Sequence, residues 1–234
     1  MENRRIQTYG RKKARGLSQT QNDALKVVLE KYRVVVPDTQ INLAGLFTRQ
    51  NYKKLVVEKG FGHGEHLIEI AENNKDCAFI GCEPFENGVA RATIKLKETG
   101  LENVKIYMGD SRALLDKAAP SSIDEFDIMF PDPWPKKRHI KRRLVSLEFL
   151  EVMFSLLTNY GIIKLASDCE HYINFVLENI ELFNKKHGPL LLISSNSLEK
   201  LSNKPENWGS TRYEQKALSK GKKCYYLIIS KRGN

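Results

Sequence analysis

From residue 54 onward the chain alternates short apolar runs with longer amphipathic intervals. The runs fall at 54–59, 77–83, 104–109, 125–130, 160–167, 190–195 and 224–231, each of strand length. The intervals at 64–73, 86–99, 144–157 and 169–186 carry apolar residues at helical spacing. Strands separated in this way by helices predict an α/β fold: a seven-stranded, mostly parallel sheet with helices on both faces. A long polar insertion separates the last two strands, which predicts an antiparallel edge. Ahead of the sheet, Leu25, Val28 and Leu29 predict a helix within 17–35, capped by Ser18.

The 234 residues allow one good-sized core with small additions. We divide them into a basic arm and leading helix over 1–35 and an α/β domain over 36–234. The net charge of +10 favours a polyanionic partner, most simply nucleic acid. No segment approaches the roughly 20 apolar residues of a spanning helix, so a membrane partner is not expected. The first 16 residues carry Arg4, Arg5, Arg11, Lys12, Lys13 and Arg15 against Glu2 alone. They read either as an arm that orders on phosphates or as a solubilising tail, and no apolar run follows to make a secretory signal. Cys77, Cys82, Cys169 and Cys224 lack paired zinc spacing, which suits free thiols in the reducing cytoplasm. No obligatory protein partner is implied, and a monomer and a homodimer both fit.

Chemistry gathers where strands end. Gly60, Gly62 and Gly64 follow the first strand and precede a helix, a spacing that makes a tight turn and lets backbone approach a ligand. Glu58, Glu83, Asp110 and Asp132 recur at the carboxyl ends of successive strands, the edge where open α/β sheets bind ligands. A carboxylate at Glu83 can accept both hydroxyls of a ribose. Asp110 and Ser111 are placed to reach an adenine edge. A dinucleotide would set its pyrophosphate against this acidic rim. The sulfonium, amine and ribose of S-adenosylmethionine suit it. His63 and His66 lie near the turn without a metal-like partner set, and no metal is expected. Lys59, in the first strand, is costly to bury unless it pairs or snorkels.

The fourth strand runs into Phe130–Arg143, FPDPWPKKRHIKRR. Pro131, Pro133 and Pro135 restrict the backbone around Asp132. Trp134 reads either as a packing wedge or as a stacking surface for a base. Lys136, Lys137, Arg138, Lys141, Arg142 and Arg143 can neutralise phosphates but cannot by themselves read a sequence. This stretch closely resembles the signature of the bacterial tRNA (guanine-N7)-methyltransferase family. The resemblance covers roughly residues 40–232 and takes in EKGFGHGE, the GCE at 81–83, Gly109-Asp110, Ser167-Asp168 and Thr211-Arg212-Tyr213-Glu214.

The resemblance implies a class I methyltransferase (Rossmann-like) sheet. It also implies transfer of a methyl group from S-adenosylmethionine to N7 of guanine 46 in the variable loop of tRNA. It assigns cofactor contacts to Glu58, Glu83, Asp110 and Asp132, with Asp132 at the centre of the chemistry. It assigns substrate contacts to Lys136, Asp168, Thr211, Arg212 and Glu214, and RNA contacts to Arg138, His139, Ile140, Lys141, Arg142 and Arg143. Three departures stand out: Lys59 replaces an apolar residue, Glu83 is followed by Pro84-Phe85, and Asn159-Tyr160-Gly161 replaces a Pro-Gly-Gly type turn.

Three residues also have local readings. Asp168 can cap the helix that follows it, and Thr211-x-x-Glu214 is a capping-box pattern. Two other functions stay open. One is amine methylation in DNA, for which Asp-Pro-Pro-Trp-like motifs serve. The other is noncatalytic RNA binding, for which Lys59 and the altered turn would be no obstacle.

Overall fold

The apolar runs become strands because their Val, Ile, Leu and Phe side chains have sheet faces to bury against. A computed structural model describes residues 16–49 and 51–232. Residues 1–15 of the expected basic arm lie outside the described residues. One compact unit runs to Ala119 and a second begins at Pro120.

In the first unit, α1 (Gln19–Asp23), a π-helical stretch Ala24–Val28 and α2 (Leu29–Tyr32) form one helical run. Ser18 caps it as expected, in a reciprocal capping box with Gln21. The run ends at Tyr32, short of 35, because Arg33 turns extended and bridges Ile106. Leu29 and Tyr32 join the core that holds Val89, Ala92 and Leu96, and the Tyr32 hydroxyl donates to the Leu96 carbonyl at 3.0 Å. Then follow β1 (Lys54–Lys59), α3 (Glu65–Asn73), β2 (Cys77–Cys82), α4 (Glu86–Thr99), β3 (Val104–Tyr107) and α5 (Ser111–Leu115). β2 lies between β1 and β3, parallel to both. Burial is almost unbroken along β1 and β2, as in a sheet covered on both faces.

The second unit comprises β4 (Ile123–Met129), a 3-10 turn over Lys137–Arg142, α6 (Leu147–Leu156), β5 (Leu157–Ser167) and α7 (Glu170–His187). It continues with β6 (Leu191–Ile193), α8 (Leu198–Leu201), α9 (Arg212–Leu218) and β7 (Tyr225–Lys231). β4 and β5 are parallel, and β7 runs antiparallel to both β5 and β6. The expected antiparallel edge is therefore present, with β7 inserted between β5 and the edge strand. The strand order is β3-β2-β1-β4-β5-β7-β6, the seven-stranded, mostly parallel class I methyltransferase arrangement.

Several boundaries differ from their expectations: α6 starts at Leu147 rather than 144, β3 ends at Tyr107 rather than 109, and β6 is confined to Leu191–Ile193. The helix predicted to 157 stops at Leu156, and β5 starts at Leu157 rather than 160. Tyr160, with φ 66, and Gly161 thus lie inside β5, near a register shift between Ile123 and Glu125. Among the described residues, no helix is long and apolar enough to cross a membrane.

Candidate functional site

In the first unit the glycine turn sits where β1 gives way to α3. Gly60, Gly62 and Gly64 have φ values of 75, 59 and 81°, the left-handed region that glycine enters without a side-chain clash. Their surroundings differ. A Cβ at Gly60 would meet nothing within 4 Å, whereas one at Gly64 would come within 2.8 Å of Ala92 Cβ. Gly64 therefore serves helix packing, whereas the Gly60 amide donates to the Cys82 carbonyl at 2.7 Å and the space over its Cα is open.

Glu83 closes this turn. Its Oε2 accepts from the Gly62 amide at 2.9 Å and its Oε1 from the Phe85 amide at 2.8 Å. Each carboxylate oxygen retains acceptor capacity for a second donor. Burial pushes the carboxyl above its ordinary range, and the two amides only partly offset that.

Asp110 caps α5 through the Arg112 amide at 3.1 Å, and its carboxylate is gripped by the Arg112 guanidinium at 2.5 and 3.1 Å. Lys59 approaches from β1, 3.4 Å from Asp110 Oδ1 and 2.9 Å from Ser111 Oγ. Burial opposes ionisation of Asp110, but Arg112 and Lys59 outweigh it and hold the carboxyl well below the usual range. Burial also pulls the Lys59 ammonium below the lysine range despite the attraction of Asp110. The lysine that looked costly in the sequence is therefore paired. Ser111, expected at an adenine edge, is buried and receives Lys59.

Glu58 departs from the open rim expected of it. It is buried, and its Oε2 lies 2.9 Å from Nδ1 of the equally buried His66 on α3. The open space over Gly60, the Glu83 acceptor and the clamped Asp110 fit a ribose-bearing, pyrophosphate-free cofactor.

In the second unit the wedge after β4 is strained. The Phe130 amide still pairs with the Ala166 carbonyl at 2.8 Å, but Phe130 has φ 53° and Trp134 φ 42°. Bulky residues hold such angles at a cost of about 1–3 kcal/mol each, so the surrounding structure must enforce them. Asp132 lies between them, exposed, and makes no hydrogen bond or ion pair among the described residues. No ion pair joins it to Lys136, which is exposed as well. Trp134 is gripped by the 3-10 turn, with Arg142 stacked 5.0 Å from its ring and His139 edge-on at 5.5 Å.

The basic cluster divides. Lys136, Lys137, Arg138, Ile140 and Lys141 are exposed. His139 is half-buried, and burial together with Arg142, Arg138 and Lys136 lowers its affinity for a proton. Arg143 is buried, contrary to its expected place on an RNA-facing surface. Its Nε donates to the Pro133 carbonyl at 2.9 Å, and its guanidinium lies 4.9 Å from the Phe175 ring.

The two carboxylates expected near the substrate also differ from each other. Asp168 follows β5 and meets Lys222 Nζ at 2.7 Å. It does not cap α7, whose N-cap position is Cys169, with no side-chain cap bond. Thr211 does cap α9, its Oγ1 accepting from the Glu214 amide at 3.0 Å. Glu214 does not complete the capping box. Its buried carboxylate accepts from the Tyr226 hydroxyl, from Ser210 at 3.1 Å and from Lys204 at 2.9 Å. Burial pushes Glu214 up, and Tyr226 and Lys204 pull it below the usual range. Arg212 is exposed, with its guanidinium 5.1 Å from the Tyr213 ring.

Sequence reasoning missed Arg112, Lys204, Trp208, Lys222 and Tyr226. Trp208 packs with Met129, Ala166 and Tyr226 and donates to Met129 Sδ at 3.3 Å, anchoring the insertion beside the end of β4. A lone tryptophan in an otherwise polar insertion was the available signal.

A family model described as "Putative methyltransferase" matches residues 52–227. A tRNA (guanine-N(7)-)-methyltransferase of Roseobacter denitrificans is 38% identical over 201 residues, covering 82% of this chain and 79% of that protein. A protein of the same name from Rhizobium johnstonii is 35% identical over 224 residues, covering 95% and 94%. Among solved structures, the 16S rRNA methyltransferase KamB aligns with a TM-score of 0.53 over 80% of this chain and 90% of that one, at 13% identity. That last likeness concerns the fold alone. Identity above one third, sustained along nearly the whole of both chains and joined to the family match, makes this chain a member of the bacterial tRNA (guanine-N7)-methyltransferase family.

Proposed function

We propose that this chain transfers a methyl group from S-adenosylmethionine to N7 of guanine 46 in the tRNA variable loop. The observation that carries the proposal is Asp132: an exposed carboxylate, unpaired among the described residues, between two left-handed residues and with a basic turn directly after it. The names of the similar proteins support the substrate and the atom methylated.

S-adenosylmethionine, when bound, supplies an electrophilic methyl group on a sulfonium. Gly60 and Gly62 would let it approach the backbone, and Glu83 would offer a ribose acceptor and Asp110 a fixed charge. Guanine N7 has an exposed lone pair and carries no proton, so no residue need act as a base before attack. The chain's work is alignment and control of charge. Asp132 would orient the reacting groups and balance the positive charge that arises on the purine. Asp168 would accept hydrogen bonds from guanine N1–H and the exocyclic amine, which leaves N7 free. Lys136, Lys137, Arg138 and Lys141 would hold phosphates, which fixes position without reading sequence.

The noncatalytic alternative drew on Lys59 and on the altered turn at Asn159-Tyr160-Gly161; Lys59 is paired with Asp110 and Ser111, which supports the catalytic reading. The test is methyl transfer from labelled cofactor to an unmodified tRNA transcript, with a second transcript in which guanine 46 is replaced. The expected product is N7-methylguanine, lost with the replacement. Label that survives the replacement overturns the position, and N6-methyladenine in the digest overturns the chemistry. Asp132→Asn should cut transfer by 100-fold or more, on the order of 3 kcal/mol, with tRNA binding retained. Equal losses in both assays would refute the role given to Asp132.

A further inference from the structure

Asp168 and Glu214 are both acids near the end of the insertion, yet their surroundings suit opposite tasks. Glu214 is locked: its side chain is 3% exposed and is held by Tyr226, Ser210 and Lys204. Asp168 is 29% exposed and, among the described residues, pairs with Lys222 alone, itself 54% exposed. Exposed pairs of this kind are weak and screened by salt, so the contact opens at little cost.

Lys222 stands on a basic tip. Ser219–Cys224 joins α9 to β7, with Lys220, Lys222 and Lys223 all exposed and Gly221 in the left-handed conformation. Three ammonium groups within Lys220–Lys223 concentrate positive charge at this tip, which favours an anionic partner. The pairing of β5 with β7 fixes the base of the tip, since Ser167 lies opposite Tyr225. Asp168 and Lys222 are thus held within reach of each other by the ladder, while the pair itself is open to solvent.

We propose, building on the guanine recognition given to Asp168 above, that Lys222 is its exchangeable counter-ion. In the free protein Lys222 covers the Asp168 carboxylate. On arrival of the substrate the guanine N–H edge takes the carboxylate, and the released ammonium takes a phosphate of the same RNA. Lys222 is a specificity-coupling residue: its phosphate contact becomes available when a base able to donate to Asp168 is in place. Glu214, by contrast, is a positioning residue that anchors α9 and never leaves its partners.

The test is tRNA binding by filter retention across a KCl series, for the wild-type chain, Lys222→Met, Lys222→Arg and Asp168→Asn. A lost phosphate contact lowers the slope of log affinity against log salt by about one. Lys222→Met should show that drop and Lys222→Arg should restore the slope. In Asp168→Asn the slope should stay at the wild-type value, while the preference for a guanine-bearing transcript over one with the target base replaced by adenine falls at least fivefold. A wild-type slope in Lys222→Met, or an undiminished guanine preference in Asp168→Asn, overturns the exchange. Thermal unfolding of each variant separates these outcomes from misfolding. A wild-type chain that binds tRNA but yields no N7-methylguanine would sink the proposed activity instead, and the slopes would still report on Lys222.

Discussion

Lys59 Nζ donates to Ser111 Oγ at 2.9 Å and so ties the end of β1 to the first residue of α5. The same ammonium lies 3.4 Å from Asp110, so one buried cation fixes a hydroxyl and a carboxylate at once. Replacing it with methionine keeps most of the volume and removes both contacts. Asp110 would then lose its lysine partner while keeping Arg112, and Ser111 would lose the Lys59 donor. We expect Lys59→Met to weaken S-adenosylhomocysteine binding about tenfold, near 1.4 kcal/mol. Isothermal calorimetry reads this directly, and an unchanged affinity would remove Lys59 from the cofactor half.

Glu83 supplies a pH dependence. It is proposed to accept ribose hydroxyls, which requires the ionised form. Burial raises its pKa above that of an ordinary glutamate, while the Phe85 and Gly62 amides oppose the shift. Protonation therefore begins at a higher pH than in an exposed glutamate. Cofactor affinity should fall as pH drops through the raised value and plateau above it. The effect on folding has the opposite sign: a raised folded-state pKa favours the fold at low pH, and that contribution is lost as pH rises. Cofactor loss on acidification would therefore not be an unfolding effect of Glu83. Affinity measured from pH 8 down to about 5 should show one proton taken up per cofactor lost, and Glu83→Gln should flatten the curve.

Local signals carried much of this molecule in the sequence. Ser18 and Gln21 read as a helix start because both halves of the capping box lie within four residues. β1 and β2 read as strands because each carries a short uninterrupted apolar run, Leu55–Val57 in β1 and Ala78–Ile80 in β2, and both bury that run. The rest depended on partners distant in the chain. Lys59 looked misplaced because Asp110 and Ser111 lie more than fifty residues on. Thr211-x-x-Glu214 promised a capping box, but Tyr226 claims the carboxylate from β7. Arg143 looked like one more base in a run of bases until Pro133 and Phe175 took it inward.

That division of the basic stretch changes the expected mutant phenotypes. Arg143→Ala removes a donor from the Pro133 carbonyl and packing from Phe175. It should cost about 2 kcal/mol of stability and loosen the wedge that carries Asp132, with little change in the salt dependence of tRNA binding. The exposed Lys136, Lys137, Arg138 and Lys141 should behave in the opposite way. Neutralising any two of them should leave thermal stability within about 0.5 kcal/mol and lower the salt slope by about two. Paired melting and filter-binding curves check both halves. A large slope change in Arg143→Ala would mean that its side chain leaves the fold to meet RNA.

Glu214 and Asp168 should separate in a stability assay. Glu214 is buried and accepts from the buried Tyr226 hydroxyl, from the half-buried Ser210 and from the exposed Lys204, so Glu214→Ala leaves the Tyr226 hydroxyl without its carboxylate. Losing that buried charged acceptor costs about 3 kcal/mol, which in a domain of this size lowers Tm by about 6–12 °C. Asp168→Ala breaks only an exposed pair and should cost under about 1 kcal/mol. Acid unfolding adds a second reading. Burial pushes the Glu214 carboxyl up, but Tyr226 and Lys204 hold it below the usual range. A depressed folded-state pKa stabilises the fold above the ordinary carboxylate range, and the contribution disappears as pH falls through the lower value. Glu214→Gln cannot titrate, so the acid limb of its stability curve should be shallower than that of the wild type. If Glu214→Gln and Asp168→Asn instead melted alike and lost guanine preference alike, the two acids would share one recognition role and Glu214 would not be the fixed partner of Tyr226.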